Sequence, residues 1–169
     1  MCGIVGYVGQ RPVQEILLAG LEKLEYRGYD SAGVSVLADG EIAAVRAVGN
    51  LSKLREAVLH ARNGSGPDAR ENGAATAVAI AELPATTGIG HTRWATHGRV
   101  TEANAHPHFD TSDRVHVVVN GIVENYLALK QRLGDMGADF TSETDAEVIA
   151  HLVSHHMARG SLVEAVRAA

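Results

Sequence analysis

Two strand-like runs, Ala32–Leu37 and Glu41–Val48, are separated by only Ala38-Asp39-Gly40. A connection this short that contains glycine reads as a hairpin, and a hairpin commits the chain to an antiparallel sheet. Other segments supply more strands. Cys2–Val8 (CGIVGYV) is apolar and β-branched between glycines. Gly88–Thr96 (GIGHTRWAT) reads as a strand running into a loop, and Val115–Val119 as a buried strand that ends at Asn120-Gly121.

Helical signals lie between the strands. Val13, Ile16, Leu17, Leu21 and Leu24 recur at helical spacing behind Pro12, so a helix is expected over Pro12–Leu24. Tyr26–Ser31 is a polar loop. Asn50 is placed to cap a helix that buries Leu51, Leu54 and Val58, and Asn125 one that presents Tyr126, Leu129 and Leu133 on one face. Thr144 with Glu147, ahead of Val148, Ile149 and Leu152, spells a capping box, and Ser161 with Glu164 spells another. Arg62–Ala75 holds no large apolar residue and reads as a surface insertion, with a short helix after it over Thr76–Leu83. The chain stops inside an expected helix, at Arg167-Ala168-Ala169, which reads as a fragment of a longer domain.

A length of 169 residues suits one domain, and nothing in it reads as a repeat or a linker. No run approaches the ~20 apolar residues of a membrane span, and no basic region precedes an apolar run at the N-terminus. These features lead to an expectation of a cytoplasmic protein with no membrane partner. A net charge of -5 with no basic stripe argues against nucleic acid. One cysteine excludes an internal disulfide and a four-thiolate zinc site. The close pairs His106/His108 and His155/His156 lack acidic or thiol partners at ligand spacing, so no metal is expected.

Several residues have two readings when taken singly. Cys2 is either an inert thiol at a frayed terminus or a nucleophile. Asn120-Gly121 is either a tight turn or a pair of hydrogen-bond donors. Arg93 is a surface ion-pair former or an anion clamp, Trp94 a core residue or a pocket wall, and Asp145 a favourable charge in a first helical turn or a cation ligand.

Six ordered segments choose between them. These are CGIVGYVG at the start, YRGYDSAG at Tyr26–Gly33, GHTRWATHG at Gly90–Gly98, NAHPH at Asn104–His108, NGIVEN at Asn120–Asn125 and SETDAEV at Ser142–Val148. Together they resemble the class II glutamine amidotransferases, within the N-terminal nucleophile hydrolases. The likeness covers nearly the whole chain except 62–85. The spelling of YRGYDSAG, HTRWATHG and NAHPH is similar to the hexosamine-phosphate-forming branch of that class.

The resemblance implies an α+β fold, a four-layer αββα sandwich of two antiparallel sheets, truncated here at its C-terminus. It implies one glutaminase domain over 1–169 with an insertion at about 62–85. Cys2, freed of Met1, would supply the thiol nucleophile and, through its α-amine, the base. The amine has an ordinary pKa of about 7.7–8.0 and the thiol one of about 8.5, so both suit work near neutrality. Asn120 and Gly121 would donate to the oxyanion. Arg93 would clamp the α-carboxylate of L-glutamine, since a planar guanidinium suits bidentate recognition, and Asp145 would hold its α-ammonium. Trp94, Thr96 and His97 would line the pocket, and Arg27 would order the N-terminal region.

No cofactor is implied. The implied partner is a sugar-phosphate isomerase domain, not contained in this chain, that takes fructose 6-phosphate to glucosamine 6-phosphate and carries a homodimer contact. Two alternatives are a glutaminase serving another acceptor and an inactive glutamine-binding module. The chain departs from the family pattern in three places. Val119 stands where the family has histidine before Asn-Gly, the insertion before Gly90 is longer, and the family domain continues past residue 169.

Overall fold

The computed structural model describes residues 1–62 and 85–169. The expected helix at Thr76–Leu83 and most of the expected insertion lie outside the described residues. Strand β1 (Gly3–Val8) leads to helix α1 (Val13–Glu22), a 3₁₀ turn at Glu25–Arg27, and the hairpin of β2 (Ser31–Ala38) and β3 (Glu41–Val48). Then come α2 (Leu51–Arg62), β4 (Thr87–Arg93), the short strands β5 (His108–Phe109) and β6 (His116–Val117), and helices α3 (Tyr126–Asp135), α4 (Glu147–Met157) and α5 (Leu162–Ala168). Strands β1–β4 form one antiparallel sheet in the order β1-β4-β2-β3, and β5 and β6 form a second.

The hairpin turn places Asp39 at φ 50° and Gly40 at φ 84°. Two positive φ angles in succession match the right-handed twist of the strands they join. Strand alternation then sorts the side chains. Ala32, Val34 and Val36 of β2, with Ala43, Val45 and Ala47 of β3, point to one face of the first sheet. There they bury Val13, Leu17, Leu18 and Leu21 of α1 and Leu51, Leu54 and Val58 of α2. Leaving such a side chain exposed would forfeit roughly 1.5–3 kcal/mol each, so this face fixes both helices.

The opposite face is polar and carries the site. It presents Ser31, Gly33 and Ser35 of β2 beside His91 and Arg93 of β4. The 103–109 segment lies on it so closely that a Cβ on Gly33 would sit 2.2 Å from the His106 carbonyl oxygen and 2.9 Å from that of Val45. Arg46 Nη1 donates to the carbonyls of Ala103 (3.3 Å) and Ala105 (3.5 Å), and its guanidinium lies 4.8 Å from the Phe109 ring centroid. Ser35 Oγ and His116 Nδ1, 2.9 Å apart, join the two sheets. On the far side Ala150 and Val153 of α4 bury Val115 and Val117. The layers therefore run helix, sheet, sheet, helix, as expected. Among the described residues no helix is long and apolar enough to cross a membrane.

Four local expectations need correction. Helix α1 spans Val13–Glu22 rather than Pro12–Leu24, because Pro12 is extended (ψ 123°) and Leu24 N–H turns in to Leu21. The strand expected over Val115–Val119 pairs only at His116–Val117, because its partner β5 is two residues long. Asn125 precedes α3 without a side-chain capping bond. The capping box at Thr144 and Glu147 does not form. Glu147 begins α4, and its carboxylate instead accepts from the N–H groups of Thr141 and Ser142 (2.8 Å each) and from both hydroxyls. Burial alone would raise the Glu147 pKa, yet donors from His151, Ser142 and Thr141 bring it down to about 2. His151 Nε2 stands 3.9 Å away, outside hydrogen-bond range, so the Thr141 and Ser142 donors dominate. The second box, Ser161 with Glu164, forms in both directions.

Candidate active site

A cavity of about 430 Å³ opens where the polar face of the first sheet meets the loop after β6. It is lined by Cys2, Arg27, Arg93, Trp94, Thr96, His97, Asn120, Gly121 and Asp145, which are all nine residues singled out above. Met1, His106, Val119, Ile122, Thr144 and Ala146 complete the wall. The volume falls in the usual range for small-molecule sites, roughly 300–1,000 Å³.

Cys2 sits at the head of β1, the edge strand that pairs with β4 from Gly3↔Thr92 onward. That pairing sets its sulfur beside the Trp94 backbone. Trp94 N–H donates to Sγ at 3.3 Å, and Sγ lies 3.7 Å from the Trp94 carbonyl oxygen. The α-ammonium of Met1 donates to the carbonyls of Arg27 (2.9 Å) and Gly28 (3.0 Å), and Arg27 Nη2 approaches the Met1 sulfur at 3.7 Å. Gly28, at φ 71°, closes the 3₁₀ turn that presents those carbonyls.

Arg93 ends β4 and is buried. Its Nη1 donates to the Arg99 carbonyl (3.2 Å) and its Nη2 to the His97 carbonyl. These two bonds hold the Trp94–Gly98 turn and leave other N–H groups of the fork without a partner among the described residues. Asp30 steadies the same turn by accepting from Ala95 N–H (2.6 Å). Across the cavity Asp145 Oδ2 accepts from Val123 N–H (2.7 Å), which ties the Asn120–Val123 loop to the start of α4. Asp145 thus precedes its helix rather than sitting in the first turn, and its other oxygen has no hydrogen-bond partner among the described residues. Asn104 Nδ2 donates to the Arg99 carbonyl and to Glu143 Oε2, and its Oδ1 accepts from Glu143 N–H, so the two walls are bound together. Tyr126 Oη and His97 Nε2 lie 3.0 Å apart.

Beneath Asn120 lies a buried row of rings. His91 Nε2 is 2.7 Å from Asn120 Oδ1. His91 stacks on His106 (centroids 4.2 Å), which meets His108 edge-on (4.4 Å), and His108 Nε2 bonds with Thr144 Oγ1 at 2.9 Å. Burial keeps His91 neutral, with its pKa pushed down to about 4, and does the same to His108, down to about 3. His106 is driven far below its ordinary value by burial and by its ring neighbours. The sequence reading missed this row. Strand alternation puts His91 on the same face as Arg93, which is the signal that marks it.

The backbone fold is shared with a solved glutamine phosphoribosylpyrophosphate amidotransferase from B. subtilis, at TM-score 0.68 and 24% identity over 99% of this chain and 32% of that one. The sequence matches the family described as the glutamine amidotransferase domain over residues 56–163, more than half of the chain. The chain belongs to that family. It is 49% identical over 170 residues to a glutamine--fructose-6-phosphate aminotransferase [isomerizing] of Streptomyces coelicolor, and 49% over 166 residues to one of Aquifex aeolicus. These alignments take in 99% and 98% of this chain and 24% of either relative, so the chain spans about a quarter of the length of the relatives it matches.

Proposed function

We propose that this domain hydrolyses L-glutamine to glutamate and ammonia through a thioester on Cys2. One observation carries the reading: a thiol, an Asn-Gly pair, an arginine and an aspartate, spread from position 2 to position 145, line a single cavity. Removal of Met1 converts the Cys2 nitrogen from an amide into an amine. That amine takes the thiol proton as sulfur attacks the side-chain carbonyl of glutamine, and the C–S bond forms while the carbonyl π pair moves to oxygen. The Asn120 amide and the Gly121 N–H face that oxyanion, each such donor being worth roughly 2.7–4 kcal/mol. Collapse restores the carbonyl, breaks the C–N bond and passes the proton to the leaving nitrogen, which departs as ammonia. Water then attacks the thioester and releases glutamate and the thiol. Arg93 and Asp145 hold the two charged groups on the glutamine α-carbon, with Trp94, Thr96 and His97 enclosing the rest, and Arg27 orders the N-terminal residues.

The ammonia is destined for fructose 6-phosphate, giving glucosamine 6-phosphate on a sugar-phosphate isomerase domain outside this chain. The relatives' names support that acceptor. The test is glutamate release by protein of known intact mass, together with labelling by a glutamine-mimicking electrophile. Label should appear on Cys2 of the species lacking Met1, and Cys2→Ala should lose both label and turnover. Full turnover by protein that retains Met1 refutes the shared nucleophile and base.

A further inference from the structure

The Asn120 amide can face the cavity in two ways, and only one of them offers a donor. With Nδ2 toward the cavity it stabilises negative charge; with Oδ1 there it repels it. Asn120 is itself exposed, so packing does not decide the matter. The partner beneath it does. His91 is fully buried, and its Nε2 is 2.7 Å from Asn120 Oδ1. If Nε2 carries the proton, it donates to Oδ1 and leaves Nδ2 for the cavity. If Nδ1 carries it, Nε2 demands a donor and the amide turns over.

We propose that His91 is a positioning residue that holds the Asn120 amide with its N–H groups toward the reacting carbonyl, by donating from Nε2 to Oδ1. The proposal rests on the glutaminase reading above. One observation selects this tautomer, and a second restrains the ring. Nδ1 has no hydrogen-bond partner among the described residues, and a buried ring N–H without a partner is a worse outcome than a bare lone pair. The His106 ring, stacked at 4.2 Å and 23° between planes, limits how the His91 imidazole can turn. The groups around the ring, Arg93, His106 and His108, oppose a positive charge on it.

Two measurements test this. In the native protein, nitrogen NMR of the histidine rings should find His91 in the Nε2–H form; the Nδ1–H form overturns the proposal whatever the kinetics show. In steady-state glutamine hydrolysis, His91→Phe keeps a stacking ring without the donor, and kcat should fall about tenfold or more while KM changes less than about threefold. His91→Gln, whose amide nitrogen reaches the Nε2 position, should recover most of that loss. In an Asn120→Ala background His91→Phe should cost nothing further, because its effect runs through the amide. Unchanged kcat in folded His91→Phe, or an undiminished loss in the Asn120→Ala background, overturns the proposal. If His91→Phe does not fold, the NMR tautomer and His91→Gln decide the question. Absence of any turnover in the unsubstituted, Met1-processed protein refutes the glutaminase reading instead, and leaves the tautomer result standing.

Discussion

Asn120 and Asp145 face one cavity, but the proposed reaction asks different things of them. The α-ammonium of glutamine carries its charge before and during reaction, so a carboxylate partner binds ground state and transition state alike. Asp145→Asn should therefore raise KM strongly with a smaller effect on kcat. The Asn120 amide meets full negative charge only after sulfur has added, so Asn120→Ala should lower kcat by about 10²-fold with KM little changed. Steady-state kinetics on both variants checks the assignment, and the opposite split would mean the two roles are exchanged. Asp145 has a second duty through its 2.7 Å bond from Val123 N–H, so a side chain that cannot accept, as in Asp145→Ala, should also loosen the Asn120–Val123 loop.

At the scale of elements, the contact between β2 and the 103–109 segment is the most demanding. Neither carbonyl facing Gly33 belongs to a movable side chain. Gly33→Ala should cost about 1–3 kcal/mol by forcing the layers apart, and should lower kcat because Arg93 and His91 share that face. Gly40→Ala is the comparison. Its φ of 84° also disfavours a side chain, but nothing lies within 4 Å, so about 1 kcal/mol should be lost with kcat unchanged. Equal kcat in both variants, measured beside thermal midpoints, would separate the layer contact from the site.

The same contrast explains what the sequence disclosed. The β2–β3 turn was legible because its chemistry is local to Asp39-Gly40. The Ser161–Glu164 box was legible because that exposed helix start meets no competing donors among the described residues. Thr144–Glu147 spelled the same signature, but Thr141 and Ser142 offered Glu147 four donors and won. The length of β6 was illegible because a strand extends only as far as its partner. The nine residues that share the cavity were legible through their motifs. Asn120's support was not, because it comes from His91, 29 positions away.

For the molecule as a whole, three buried neutral histidines set the response to acid. Each has a folded pKa below its ordinary value near ~6.5. Their contribution is complete above that value and is lost as pH falls toward their folded pKa values, about 4 for His91, about 3 for His108 and lower for His106. If unfolding takes up about three protons in that window, stability falls by roughly 4 kcal/mol per pH unit. Glu147, with its depressed pKa, adds a further loss only from about 4.5 down to about 2. Urea midpoints should therefore drop steeply between pH 6.5 and 5, before carboxylates protonate, if ~6.5 is the histidine value in the unfolded chain. A flat profile there would show that the histidines are not held neutral.

Cys2 immediately precedes an edge strand whose partner, β4, begins 84 positions after β1 begins. During synthesis Asp145 is added 143 positions after Cys2. At ~5–20 residues per second, the Cys2 thiol waits roughly 7–30 s before Asp145 is made. In that interval the terminal amine is free in solution, whereas in the folded domain the Arg27 and Gly28 carbonyls hold the Met1 ammonium. Trimming by an aminopeptidase is therefore easiest on the nascent chain, and slower translation between Cys2 and Asp145 should raise the fraction of molecules that leave the ribosome without Met1.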